Sequence, residues 1–138
     1  MRLAGLVIVA LLAAGAARAA DEAAKDPAAA RYTPAYAKCM DSPDGQSTMG
    51  MIECIGSEAQ VQDAALNAAY RKAMKDLNPR QKAKLQAAQR AWIAFRDAEC
   101  ASFEDEDWGS LSRINANACV LHMTAQRVID LENYPPAT

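Results

Sequence analysis

The chain has 138 residues, which is enough for one small domain. It carries 15 lysines and arginines against 17 aspartates and glutamates, with a single histidine. That balance argues against the broad basic faces by which proteins hold nucleic acid or anionic membranes.

Arg2 followed by the apolar run Leu3 to Ala14 reads as an export signal, too short and too rich in small residues to span a membrane. Ala17-Arg18-Ala19 fits the small-x-small cleavage pattern. Residues 1–19 are therefore expected to be a signal peptide, and the mature protein to be periplasmic or secreted with no membrane span. No cysteine follows the apolar run closely, so a lipid anchor is not expected. Without Arg2 and Arg18 the chain keeps 13 basic and 17 acidic side chains, a net charge near −4. Ala20 to Tyr32 is alanine-rich and charged, with little to bury. Residues 20–33 read as a flexible leader and residues 34–134 as one helical domain.

Tyr36 to Met40 can form a short helical turn. Asp41-Ser42-Pro43-Asp44-Gly45 is dense turn chemistry, in which proline presets φ and glycine permits positive φ. Ser47 or Thr48 can then cap a long helix running to Leu77. Ile52, Ile55, Ala59, Leu66, Ala69, Tyr70, Ala73 and Leu77 recur at three- and four-residue steps and make its apolar face. Gly50 and Gly56 weaken its first turns. Asn78-Pro79 stops it and starts the next helix, Pro79 to Phe103, with a face of Leu85, Ala88, Trp92, Phe95 and Glu99. Four acids, Glu104-Asp105-Glu106-Asp107, oppose the dipole at that helix end, and Trp108-Gly109-Ser110 reads as a turn with Ser110 as N-cap. A last helix follows from Leu111 to Leu131 through Ile114, Ala118, Leu121, Ala125 and Val128. There is no strand pattern. The expected fold is all-α, a bundle of about three helices in which a long antiparallel hairpin is joined by a third helix.

The cysteines are Cys39, Cys54, Cys100 and Cys119. An even count in an exported chain reads as two disulfides. Local pairing, Cys39–Cys54 with Cys100–Cys119, is preferred; Cys54–Cys100 with Cys39–Cys119 is the open alternative, because the hairpin register sets Cys54 and Cys100 at one height. No metal site is expected, since no closely spaced ligand pair exists and His122 is the sole histidine. Counting outward from Asn78-Pro79 also sets Glu58 level with Arg96, and Asp63 level with Arg90. These are the expected ion pairs between the first two long helices.

Catalytic chemistry finds little support. His122 has no evident partner for nucleophilic catalysis, and there is no glycine-rich phosphate loop. No cofactor is implied. Trp92 and Phe95, at helical spacing, are assigned to packing; an exposed pair would instead suit a ligand. Glu104, Asp105, Glu106, Asp107 and Trp108 are the candidate partner-binding residues, since acids beside a loop tryptophan suit a cationic protein. The alternative for Trp108 is a lid on the bundle end.

Several blocks carry a family resemblance: Cys39-Met40-Asp41, Cys54, Glu58, Asp63, Leu66-Asn67 and Tyr70, then Ala88-Gln89-Arg90-Ala91-Trp92-Ile93 with Phe95-Arg96-Asp97-Ala98-Glu99-Cys100, and then Gly109-Ser110, Cys119, Thr124 and Arg127. From about Tyr36 to Leu131 the chain resembles the lysozyme inhibitor LprI-like domain family, once catalogued as a domain of unknown function. The resemblance implies a small, exported, α-helical, cysteine-bonded protein that inhibits c-type lysozyme and has no catalytic residues. Many members read Gly-Gly-Ser where this chain reads Trp108-Gly109-Ser110, which points to a different specificity if that loop meets the partner. The second expectation is an envelope binding or assembly module for another protein or a cell-wall fragment. The sequence names no oligomeric state.

Overall fold

The computed structural model describes residues 26–135. Residues 1–19, expected to be a signal peptide, and residues 20–25 of the expected leader lie outside the described residues. Four α-helices follow in order: α1 (Pro34–Met40), α2 (Thr48–Lys75), α3 (Pro79–Ala101) and α4 (Ser110–Glu132). Short 3-10 turns stand at Ala29–Arg31, Asp44–Gln46 and Glu106–Trp108, and no strand occurs among the described residues. The expected count of about three thus becomes four, because the short turn anticipated near Tyr36 is a seven-residue helix.

Local chemistry sets the helix ends. The Thr33 hydroxyl caps α1 by accepting from the Tyr36 N–H, and the Ser47 hydroxyl caps α2 by accepting from the Gly50 N–H. Asn78 and Gln81 form a reciprocal capping box at α3, with Pro79 in its first turn. α3 ends at Ala101, before the acidic run, and α4 begins at Ser110. Its cap is Gly109, not Ser110 as expected, and it has no side-chain cap bond. Gly109 sits at φ 65°, ψ −153°, a conformation that side chains resist. Gly45 serves differently from the expectation of positive φ: a Cβ there would run into the Cys39 carbonyl oxygen, so close approach is what it provides.

The disulfides are Cys39–Cys54, with Cα atoms 5.7 Å apart, and Cys100–Cys119, at 5.5 Å. The first clips α1 to α2 and the second ties α3 to α4. A bond closing a loop of this size contributes about 3 kcal/mol.

The packing departs from a simple hairpin. α2 buries its face chiefly against α4, and α3 meets α4 more than it meets its sequence neighbour α2. Leu66, Ala69, Leu85, Val128 and Leu131 form the shared core, flanked by Trp92, Tyr70 and Leu77. On α3 the inward residues are Leu85, Gln89, Trp92, Arg96 and Cys100, one step round from the expected face. Phe95, assigned to the core from its spacing, is 57% exposed. The reason lies in polar burial: Gln89 and Arg96 turn inward because α4 offers them partners.

The leader is also corrected over part of its length. Residues 26–33 are not a free leader but pack on the bundle. Ala28 is fully buried, Arg31 pairs with Glu132 at 2.9 Å, and His122 lies 3.5 Å from Asp26.

Candidate functional site

The connection from α3 to α4 is the most exposed part of the bundle. Every residue from Ala101 to Leu111 is exposed, and Trp108 is 60% exposed. The acids do not neutralise themselves against basic side chains: no ion pair to Glu104, Asp105, Glu106 or Asp107 occurs among the described residues. The loop nevertheless has a defined shape. Asp105 accepts from the Asp107 N–H at 2.8 Å, closing the 3-10 turn that carries Trp108. The hydroxyl of buried Ser112 donates to the Gly109 carbonyl at 2.8 Å. Cys100–Cys119 brackets the whole segment. Glu104, Asp105 and Glu106 share a concavity of about 520 Å³ with Ser110 and Arg113. The result is a fixed acidic loop with one large apolar side chain standing in solvent.

A polar seam holds α3 to α4. Trp92 lies between two guanidinium groups, Arg96 at 5.2 Å and Arg127 at 5.6 Å from its ring centroid. Arg127 donates to Gln89 at 3.0 Å, and Arg96 to the Thr124 hydroxyl at 3.3 Å and to Asp97 at 2.7 Å. The hydroxyl of Thr124, itself buried, donates a hydrogen bond to the Val120 carbonyl. Hydrophobic spacing misses Gln89, Thr124 and Arg127, since none is apolar; the family pattern does contain all three.

The expected ion pairs are not formed. Glu58, 2% exposed, accepts from Thr33 and from Gln62 instead of Arg96. Asp63 accepts from Asn67 at 3.0 Å and does not bond Arg90. The register arithmetic assumed that consecutive helices press together along their length, whereas here both lean on α4. Asp63 and Arg90 end on opposite walls of one groove between α2 and α3.

Near Glu58 two tyrosines meet edge to face, Tyr32 and Tyr36, with centroids 5.3 Å apart. Burial pushes the Tyr32 phenol up to about 12, helped by Tyr36, Asp26 and Glu58. Burial, then Glu58, also raises Tyr36. His122 stands at the surface, with the Asp26 carboxylate 3.5 Å from its Nδ1. Among the described residues no group of three or more His, Cys, Asp or Glu is placed to hold a metal, and no helix is long and apolar enough to cross a membrane.

The family model described as lysozyme inhibitor LprI matches residues 39–131. An uncharacterised protein of Rhizobium meliloti (strain 1021) is 31% identical over 101 residues, covering 62% of this chain and 72% of that protein. No solved structure matches. The chain belongs to the lysozyme inhibitor LprI family.

Proposed function

We propose that this LprI-family chain is an exported, non-enzymatic protein that binds and inhibits c-type lysozyme. The observation that carries the reading is the family match, which takes in both disulfides and the loop between α3 and α4. The disulfides suit an oxidising, extracytoplasmic compartment, as a signal peptide at 1–19 would require.

We place the contact at Glu104 to Trp108. A c-type lysozyme is cationic, so clustered acids accelerate its approach, and an exposed tryptophan in a shaped loop supplies the anchor on which interface energy concentrates. Inhibition then follows from occlusion: a protein docked by this loop covers the enzyme's cleft and needs no chemistry of its own. Purified protein titrated into a lytic assay tests it directly. Lysozyme activity should fall stoichiometrically; full activity at micromolar protein sinks the proposal. If inhibition survives Gln and Asn replacement of all four acids together with Trp108→Ala, the inhibitor reading stands and the site is elsewhere.

A second reading, an envelope module for another partner, draws on the 57% exposure of Phe95 and 39% exposure of Ile93. Capture from an envelope extract by immobilised protein, lost on Phe95→Ala but kept by the loop variant, would favour it.

A further inference from the structure

We propose that the outer face of α3 packs antiparallel against the same face of a second copy of this chain, with Arg90 and Asp97 pairing across the two-fold axis. α3 gives the bundle one narrow stripe, Leu85, Gln89, Trp92, Arg96 and Cys100. On its opposite side Lys84, Ala87, Ala91, Ala94, Ala98 and Ala101 are all exposed. Their steps alternate between three and four residues, the spacing that keeps a seam in line along two helices wound together. A helix serving the bundle alone would carry polar residues there.

Alanines by themselves would accept many helices; the flanks of the seam select this one. Arg90 and Asp97 lie along one flank, Ala88 and Phe95 along the other. Two copies reversed about the midpoint of Ala91 and Ala94 set Ala91 against the partner's Ala94, and Ala87 against the partner's Ala98. The same register puts Arg90 beside the partner's Asp97 and Phe95 over the partner's Ala88, and symmetry makes each contact twice. A parallel pair would instead set Arg90 beside the partner's Phe95 and leave Asp97 without a cation. Charges at such flanking positions decide orientation and partner.

The groups that would meet are uncommitted within the chain. Arg90 is exposed and has no hydrogen-bond or ion-pair partner among the described residues, although Asp63 stands across the α2–α3 groove from it. Asp97, its side chain 57% exposed, holds Arg96 through Oδ1 alone, at 2.9 and 2.7 Å, so Oδ2 has no partner among the described residues. A guanidinium from a second copy completes that carboxylate. Phe95 is 57% exposed, and an alanine opposite leaves room for its ring. Along the whole face the basic first half, Arg80, Lys84 and Arg90, lies beside the partner's acidic second half, where Asp97 and Glu99 stand. The seam from Lys84 to Ala101 runs about 25 Å at the helical rise. That is short for an obligate dimer, so the association is reversible and micromolar.

The dimer does not rest on lysozyme binding, and either stands if the other fails. Sedimentation equilibrium of the purified, disulfide-bonded protein tests it, and a reversible monomer–dimer equilibrium is expected. Ala91→Glu, at an exposed position, should leave circular dichroism and the thermal melt native and weaken the dimer about tenfold or more. Arg90→Glu and Asp97→Arg should each weaken it similarly by setting like charges opposite one another. Mixing these two variants should restore a heterodimer, because each supplies the charge that the other's altered site requires. A protein monomeric throughout overturns the proposal and leaves the face to another partner. A dimer untouched by Ala91→Glu overturns it too, as do losses in the two charge variants that mixing fails to restore.

Discussion

Thr33 donates to both oxygens of the Glu58 carboxylate, from its backbone N–H at 3.1 Å and from its hydroxyl at 2.6 Å. Gln62 adds a third bond at 2.8 Å and also donates to the Arg31 carbonyl at 3.0 Å. A carboxylate 2% exposed is thus satisfied by three donors, with no cation among them, and two of the three belong to Thr33 in the segment entering α1. Glu58→Gln replaces an acceptor by an N–H that faces donors. It should cost about 2 kcal/mol, read as a lower denaturation midpoint at unchanged m-value. Tryptic cleavage after Arg31 should quicken. A variant within about 0.5 kcal/mol of the parent would show that the clamp is ornamental.

The same corner sets the alkaline limit. A phenol is neutral below its pKa, and Tyr32 is held up to about 12 from 10.0, first by burial and then by Tyr36, Asp26 and Glu58. Below pH 10 the folded and unfolded chains both keep this proton, and the Tyr32 phenol gives pH no leverage on stability. Between 10 and about 12 the unfolded chain releases it while the folded chain retains it, so stability falls through that window. Tyrosinate absorbance should show Tyr32 titrating late, and Tyr32→Phe should flatten the alkaline loss. A phenol titrating near its ordinary value would refute the burial argument.

The parts of this fold visible in the sequence are those set locally. Asn78-Pro79 and Ser47 fix where helices start because capping is a matter of adjacent residues. The helix partners were not visible. A residue count along a hairpin gives heights, and Asp63 and Arg90 do reach one groove, but it cannot say that α4 takes the packing face of both helices. Gln89 and Arg96 turn inward while Phe95 turns out, against every hydrophobic scale, because Arg127 and Thr124 wait on α4. Long-range polar partners leave no periodic signal. The acidic loop was legible for the opposite reason: four acids and a tryptophan in a connection have few places to go but solvent.

Cys100–Cys119 should matter to the loop as well as to the fold. It joins residues 19 apart in sequence, and its removal by paired serine substitution should cost about 3 kcal/mol. Between its ends lie Glu104 to Trp108, whose turn rests on the Asp105 side chain, on backbone bonds from Trp108 and Gly109, and on the conformation of Gly109. The double variant, kept at a temperature where far-UV circular dichroism is native, should therefore inhibit lysozyme more weakly than the parent. Unchanged inhibition there would mean that the loop keeps its shape without the staple.

Charge and tryptophan in the loop should separate kinetically. Long-range attraction acts on encounter, so neutralising the four acids should slow association and flatten its dependence on salt. Trp108, exposed in the free protein, gains only on docking. Trp108→Ala should cost about 2 kcal/mol of binding, mostly as faster dissociation. Surface plasmon resonance against immobilised lysozyme resolves the two. Equal effects of both changes on association would contradict this division.

Gly56 gives the cleanest test of what the bundle needs for itself. It lies inside α2, where glycine is about 1 kcal/mol worse than alanine because the unfolded chain is freer and the helix gains no side-chain contact. A Cβ at this position meets nothing within 4 Å, so alanine enters without strain. Gly50, in the same helix, is the control: its Cβ would run into the Asp44 carbonyl oxygen. Gly56→Ala should therefore stabilise the fold by about 0.5–1 kcal/mol, while Gly50→Ala destabilises it by more than that. Thermal melts of the two variants decide the matter. If both lower the midpoint, α2 needs glycine at Gly56 for a reason internal to the fold.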